Sequence, residues 1–213
     1  MISTDQARKG SAFQSKDSSR KATRKVLAFL GFLVWAGAIT IPLGLFSAAH
    51  MAVLPVAKDA IATSDAAAKG EWAIVHVLSE DCACSRGVLE YLLERGRTEG
   101  VSEEVVVLDG DAKVLERLRA SGFVAVSVDA ESFCSSYESE GVPFFQVRDV
   151  STEAVYSGAY FDSAYRGNSG FLDLSTTKRL QSGGFVHDRP VYGCPTSERL
   201  RAILDPFGLK QSS

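Results

Sequence analysis

The feature that most constrains this chain is a long stretch without charged residues. Between Val26 and Ala57 the sequence contains no Asp, Glu, Lys or Arg, and most of its residues are apolar. About 20 consecutive apolar residues are enough to cross a bilayer as a helix. We therefore predict a transmembrane helix over residues 26–49, with Pro42 tolerated inside it as a kink.

A cleaved signal peptide is the competing interpretation of this stretch. The sequence FSAAHMA at residues 46–52 has the small residues that are typical of a cleavage site. Two features favour an uncleaved anchor instead. The polar leader is about 25 residues long, and the apolar stretch exceeds the roughly 7–15 residues of a signal-peptide core.

The two flanks of the apolar stretch carry opposite charge. Before Val26 there are seven basic and two acidic residues, whereas the part from Lys58 onwards has 16 basic and 24 acidic residues, a net charge of −8. Because basic flanks stay on the cytoplasmic side, we expect residues 1–25 to form a disordered cytoplasmic tail and the body to lie outside the cytoplasm. In a Gram-negative cell this describes a single-pass inner-membrane protein with a periplasmic domain. The acidic body argues against nucleic-acid binding, which needs a basic face.

The regular part of the sequence follows a linker, which we place at residues 50–70. From residue 71 to 213 the patterns alternate in the order strand–helix–strand–helix–strand–helix–strand–strand–helix. This order predicts an α/β domain with parallel core strands, an antiparallel edge hairpin and flanking helices. Residues 159–193 break the alternation, and we interpret them as an insertion. The acidic run at residues 102–104 is interpreted as a solvated face.

Cysteine placement suggests chemistry at one end of the first strand. Outside the cytoplasm disulfides form and persist, and the four cysteines of this chain allow three pairings. Cys82 and Cys84 fall where the first strand of the domain becomes a helix. A helix N-terminus favours a thiolate, which is the form of cysteine that attacks disulfides.

Two local motifs resemble the thioredoxin superfamily. In VHVLSEDCACSR, Cys82 takes the place of the first cysteine of the family's C-x-x-C motif and Ser85 that of the second, which leaves a C-x-C-S motif. The segment GVPFF resembles the family's cis-proline segment and makes Pro143 the cis residue facing the cysteines. The family has a buried acid six residues before its first cysteine, where this chain has His76.

The resemblance implies a thioredoxin-like sheet and a thiol–disulfide oxidoreductase. Cys82 would attack and Cys84 would resolve, while His76 moves the proton and the backbone beside Pro143 pairs with an extended substrate. A Cys82–Cys84 disulfide would close a small ring with tight geometry. If this disulfide does not form, Cys82 would work with Ser85 as a mono-thiol enzyme. No dissociable cofactor is implied, and the expected partner is an exported protein with cysteines.

A copper-binding or metal-insertion factor is the alternative function. Some thioredoxin-fold proteins hold copper with two cysteines and a distant histidine, and soft thiolates select Cu(I). The ligands here would be Cys82, Cys84 and His187. A degenerate fold kept as a docking scaffold is a third hypothesis.

Cys134 and Cys194 have several interpretations. A structural disulfide between them would pin the insertion. Alternatively, Cys194 approaches Cys82 as a resolving thiol, or both are free buried cysteines.

Overall fold

The computed structural model describes residues 6–61, 70–162 and 170–204. It divides the chain into two compact units, of which the first ends at Ser47 and the second begins at Ala48. We describe each unit by itself.

The first unit consists mainly of one long helix, α1, at Gln6–His50, whose last three residues are counted with the second unit. Within it, Thr23–Leu45 is long and apolar enough to cross a membrane, since 23 residues at about 1.5 Å per residue exceed the roughly 30 Å of a bilayer core. Pro42 lies inside the helix, as predicted. Residues 6–25 of the expected disordered tail belong to helix α1, and residues 1–5 lie outside the described residues. The segment holds many Ala, Gln, Lys and Arg residues, which are strong helix formers.

The second unit contains a mixed α/β fold, as predicted. Its helices and strands are β1 Ala73–Ser79, α2 Ala83–Arg95, β2 Ser102–Leu108, α3 Ala112–Ala120, β3 Val124–Val128, α4 Ala130–Tyr137, β4 Gly141–Val142, β5 Phe144–Arg148, β6 Ala154–Gly158, α5 Asp173–Gln181, β7 Cys194–Pro195 and α6 Glu198–Leu204.

Five of the strands form the main sheet, in the order β3–β2–β1–β5–β6. Strand β1 is central; it runs parallel to β2 and antiparallel to β5. Strands β5 and β6 form the antiparallel edge hairpin that the sequence predicts. The two-residue strands β4 and β7 pair in a small sheet of their own.

Each face of the main sheet carries a hydrophobic cluster, and strand β1 contributes to both. We call the cluster that contains Ile74 and Leu78 the Tyr160 face, and the cluster that contains Val75 and Val77 the Cys82 face. All seven residues of β1 are buried, because helices or loops cover both faces of a central parallel strand. The alternation along β1 decides which residues can reach Cys82.

Two segments differ from the sequence prediction. Part of the predicted linker packs into the domain, with Leu54 paired to Val191 and with Ala57 and Ile61 in the Cys82 face. Residues 62–69 of the linker lie outside the described residues. The predicted insertion includes helix α5, and its residues 163–169 also lie outside the described part of the chain.

Candidate active site

Cys82 occupies the junction between the central strand and helix α2. Its backbone is extended, with φ −97° and ψ 118°, and the helix begins at the next residue. The Cys82 carbonyl accepts a hydrogen bond from the Arg86 N–H at 3.0 Å, which closes the first helical turn. The sulfur therefore lies at a helix N-terminus, where the free N–H groups and the helix dipole favour negative charge.

The Cys82 thiol is buried against the segment that precedes β5. Only 1% of the residue is exposed, and its Sγ lies 3.9 Å from the carbonyl oxygen of Val142. The Val142–Pro143 peptide bond is cis, as predicted. Ser85 is buried, and its hydroxyl accepts a hydrogen bond from the Ser79 N–H at 3.1 Å. The predicted group of Cys82, Ser85 and Pro143 is thus brought together.

Hydrogen bonds from neighbouring groups hold the pKa of Cys82 well below its usual range. The largest contribution is a hydrogen bond from the Cys194 side chain, followed by one from Cys84; burial opposes both, and Ser85 adds further support. The pKa of Cys194 is raised, chiefly by the same hydrogen bond to Cys82. The pair therefore keeps one proton on Cys194 and leaves Cys82 as the thiolate.

The reduced protein is expected to keep a thiolate in mildly acidic solution. At about pH 6 a thiol with the ordinary pKa of about 8.5 is almost fully protonated, whereas Cys82 stays ionised. Replacing Cys194 with alanine removes the main hydrogen-bond donor and raises the pKa of Cys82. Cys194→Ser keeps a donor and restores part of the effect. Thiolate ultraviolet absorbance against pH measures these shifts, and equal titration curves for the wild type and Cys194→Ala would contradict the assignment.

His76 lies on the opposite face of the sheet from Cys82. It follows Val75 on β1, and its ring packs against Phe123 and Tyr160 of the Tyr160 face. Its Nδ1 is 2.6 Å from the Tyr160 hydroxyl, and its Nε2 is 3.1 Å from Glu103 Oε2. Both ring nitrogens are therefore bonded within that face. The predicted proton relay from His76 to Cys82 is not supported by this position.

Glu103 is the centre of a buried polar network that the sequence interpretation missed. Residues 102–104 are buried, so the expected solvated face is wrong. Both carboxylate oxygens of Glu103 accept hydrogen bonds from Arg95, at 2.6 and 3.1 Å. Arg95 also bonds Asp173 at 3.0 Å, and Asp173 accepts a hydrogen bond from Tyr91. This network joins β1, β2, α2 and α5 on the Tyr160 face.

The structure also shows where Cys134, Cys194 and His187 lie. Cys134 and Cys194 are not disulfide-bonded to each other; both are free thiols, and Cys134 Sγ lies 3.2 Å from the Thr196 hydroxyl. The structure supports the alternative in which Cys194 approaches Cys82.

His187 is exposed and packs against Phe185. In the described ranges 6–61, 70–162 and 170–204, no three His, Cys, Asp or Glu side chains are placed to hold a metal ion. The copper ligand set proposed from the sequence is therefore not assembled there.

The chain's own strand β7 occupies the edge of Val142 on which a substrate strand was expected. Val142 pairs with Cys194 and Gly141 with Pro195 in an antiparallel register. Gly193 permits this contact, because a Cβ atom at that position would overlap the Val142 carbonyl. In the sequence, the pairing of β7 with Val142 is marked only by the Gly-Cys-Pro segment at residues 193–195. This segment has no periodic pattern that would predict a strand.

Comparison with known proteins finds similar solved structures but no matching family or curated sequence. No protein-family model matches the sequence, and no curated protein is similar enough to match. An uncharacterized conserved protein from Geobacillus kaustophilus has a similar solved structure, with a TM-score of 0.52 and 16% identity over 69% of this chain and 92% of that chain. A hypothetical protein from Sinorhizobium meliloti has a TM-score of 0.49 and 18% identity, over 68% of this chain and 93% of that one.

A third solved structure is the thioredoxin domain of a thiol-disulfide oxidoreductase from Bacteroides vulgatus. Its TM-score is 0.40 and its identity 19%, over 62% of this chain and 96% of that chain. In the present structure, the cysteine-bearing helix follows the central strand, and a cis proline opens the adjacent antiparallel strand beside Cys82. These features give the domain a thioredoxin-like fold. The thioredoxin fold positions Cys82 but does not by itself establish a reaction.

Proposed function

We propose that this chain is a membrane-anchored thiol–disulfide oxidoreductase that acts outside the cytoplasm on cysteines of exported proteins. The observation that carries the proposal is the position of Cys82 at the N-terminus of α2, with its Sγ 3.9 Å from the Val142 carbonyl beside the cis Pro143, and with Cys194 paired to the same Val142. Hydrogen bonds from Cys194 and Cys84 lower the pKa of Cys82, which favours its thiolate. A thiolate is the species that attacks a disulfide. A second thiol in contact with it is what a dithiol enzyme needs to release its partner.

The reaction would run through a mixed disulfide. The Cys82 thiolate attacks one sulfur of the partner's disulfide, so that the Cys82–partner bond forms and the partner's other sulfur leaves as a thiolate. A second thiol of the chain then attacks Cys82 Sγ, and the partner departs fully reduced. Two electrons pass from the chain to the partner, and the reverse sequence oxidises a partner dithiol. The sequence predicts Cys84 as the second thiol.

Ser85 and Pro143 would support this reaction without exchanging sulfur. The Ser85 hydroxyl bonds Cys82 and also accepts the Ser79 N–H, so it fixes the start of α2 around the sulfur. Pro143 follows Val142, whose carbonyl contacts Cys82 Sγ. We assign both residues to positioning rather than to bond formation.

The cellular location in this proposal rests on the first unit. Thr23–Leu45 qualifies as a membrane-spanning helix by length and composition. Basic residues crowd its N-terminal end, with Arg20 and Lys21 just before the segment and Arg24 and Lys25 in its first turn, which favours a cytoplasmic N-terminus. The domain that carries Cys82 would then face the oxidising side of the membrane.

A redox titration of the full-length chain in detergent micelles tests the proposal. The protein is equilibrated in glutathione buffers of graded potential, quenched with acid, alkylated and weighed by mass spectrometry. We expect one disulfide that includes Cys82, with a midpoint above about −300 mV, since structural disulfides lie below that value. Cys134→Ala is the matched control, because this thiol bonds Thr196 instead of Cys82.

Two results would overturn the oxidoreductase proposal. In the first, Cys82 stays reduced across the whole range of potentials. In the second, the thiols resist alkylation until a chelator is added, which would favour metal binding.

A further inference from the structure

Strand β7 places Cys194 on the residue that contacts the Cys82 sulfur. Its residue Cys194 pairs with Val142, the residue whose carbonyl lies 3.9 Å from Cys82 Sγ. An extended partner chain would use this same backbone edge by strand addition. The edge of Val142 accepts one strand at a time, and in this structure the chain supplies its own.

The segment around β7 is anchored at both ends. On one side the Leu54 N–H donates to the Val191 carbonyl at 2.9 Å, and on the other the Thr196 N–H donates to the Glu140 carbonyl at 2.9 Å. The Glu140 carboxylate also bonds the Ser197 hydroxyl and, at 2.8 Å, Arg199. These bonds fix the register of β7, so the position of Cys194 beside Cys82 is set by main-chain contacts.

The close approach of β7 depends on the residue before Cys194. A Cβ atom on Gly193 would overlap the Val142 carbonyl and come within 3.2 Å of Pro143 Cδ. A side chain at this position therefore forces β7 away from Val142. The sequence Gly-Cys brings the cysteine closer than other residues at position 193 would allow.

The surroundings of the three thiols favour Cys194 over Cys84 as the partner of Cys82. Cys82 is buried and Cys194 is half-buried in the same cluster on the Cys82 face, whereas Cys84 is exposed in the first turn of α2. A Cys82–Cys84 disulfide would close a small ring that includes the first residues of α2, and its tight geometry would require the start of this helix to rearrange. A bridge across β4 and β7 needs no such rearrangement of α2.

We propose that Cys194, rather than Cys84, resolves the mixed disulfide on Cys82, and that Cys82–Cys194 is the exchangeable disulfide of this protein. The inference rests on the proposed oxidoreductase function and names its second thiol. Cys84 then serves as a hydrogen-bond donor to the Cys82 thiolate. Strand β7 already holds Cys194 on Val142 beside Cys82, so the resolving thiol is in place when the mixed disulfide forms.

The chemistry balances with oxidised glutathione as the oxidant. The Cys82 thiolate attacks glutathione disulfide, which forms a Cys82–glutathione bond and releases one glutathione thiolate. Cys194 then attacks Cys82 Sγ, the Cys82–Cys194 bond forms, and the second glutathione leaves with the proton of Cys194. Two protein thiols are oxidised and one glutathione disulfide is reduced to two thiols.

Tryptic mapping of the full-length protein distinguishes the two bridges. Cleavage after Lys and Arg, except at the resistant Arg189–Pro190 bond, places Cys82 and Cys84 together in peptide 70–86 and Cys194 in peptide 180–199. A Cys82–Cys194 disulfide therefore joins two peptides, whereas a Cys82–Cys84 disulfide stays within one. The protein is oxidised with glutathione disulfide in detergent micelles, quenched with acid, alkylated and digested.

We expect linked peptides in the wild type and in Cys84→Ala. Cys194→Ala is expected to lose the link and to accumulate glutathione on Cys82, because the mixed disulfide is no longer resolved. Cys134→Ala is the control for loss of an unrelated thiol and keeps the link.

A second pair of variants tests the role of β7 without removing a cysteine. Gly193→Ala is expected to reduce the yield of linked peptides severalfold. Gly170→Ala is the matched control, since a Cβ atom there meets nothing within 4 Å.

The outcomes separate this inference from the proposed function. A bridge within peptide 70–86 that persists in Cys194→Ala would overturn the role of Cys194 and leave the oxidoreductase function standing. A Cys82 that forms no disulfide with protein or glutathione would overturn both.

Discussion

Replacing Cys82 with serine is expected to abolish thiol–disulfide exchange by the full-length chain. Cys82 lies buried at the N-terminus of α2, where hydrogen bonds from Cys194 and Cys84 lower its pKa. A serine hydroxyl is not ionised near neutral pH, so we expect a loss of roughly 100-fold or more, down to the rate of the buffer alone. The measurement is the rate at which the reduced protein in micelles reduces a glutathionylated peptide.

Two cysteine variants give this experiment its control and its contradiction. Cys134→Ser removes a thiol whose pKa is raised, chiefly by burial, and is expected to keep the wild-type rate. Retention of exchange in Cys82→Ser together with its loss in Cys84→Ser would make the exposed Cys84 the nucleophile. That result would move the reaction away from Val142 and Pro143 altogether.

The order of the main helices and strands followed from local patterns in the sequence. Strand β1 is apolar on both faces, α3 begins with an Asp cap that accepts the Val114 N–H at 2.8 Å, and the β5–β6 hairpin brackets a polar turn. Hydrophobic periodicity and capping are properties of neighbouring residues, so they are readable without knowledge of the fold.

The contacts around Cys82 required information that no local pattern contains. Strands β4 and β7 have two residues each, too few for a periodic pattern, and their pairing closes the long loop between Val142 and Cys194. His76 was assigned to Cys82 by counting along the chain, although alternation on β1 sends it to the other face. The side of the sheet on which Cys82 lies depends on the turn after Ser79, which the sequence does not specify.

The buried charges on the Tyr160 face could not be predicted from the sequence either. Glu103 looks like a solvated residue until Arg95 from α2 and His76 from β1 are placed around its carboxylate. A buried carboxylate is tolerated only with such partners. Recognition of the network therefore needs the tertiary structure.

Glu103→Ala is expected to lower the free energy of unfolding by about 3–5 kcal/mol, the usual cost of removing one partner from a buried ion pair, although Arg95 keeps Asp173 as its second partner. The Arg95 guanidinium would lose a two-pronged contact, and His76 Nε2 would lose its acceptor. Urea unfolding of the full-length chain in micelles, followed by circular dichroism, measures the change. Glu90→Ala is the matched control. Its partner Arg117 lies at the surface with 52% of its side chain exposed, so we expect a loss of about 1 kcal/mol or less.

The same carboxylate gives the stability a defined pH dependence. Burial alone would raise the pKa of Glu103, but hydrogen bonds from His76 and Arg95 outweigh it and lower the pKa to about 2. In the unfolded chain the pKa returns to about 4.3. The stabilisation by Glu103 is therefore fully present above the unfolded pKa and is lost as the pH falls towards 2. Wild type and Glu103→Ala should converge in stability across that window, and a difference that stayed constant from neutral pH down to the folded pKa would show that the loss comes from packing rather than from charge.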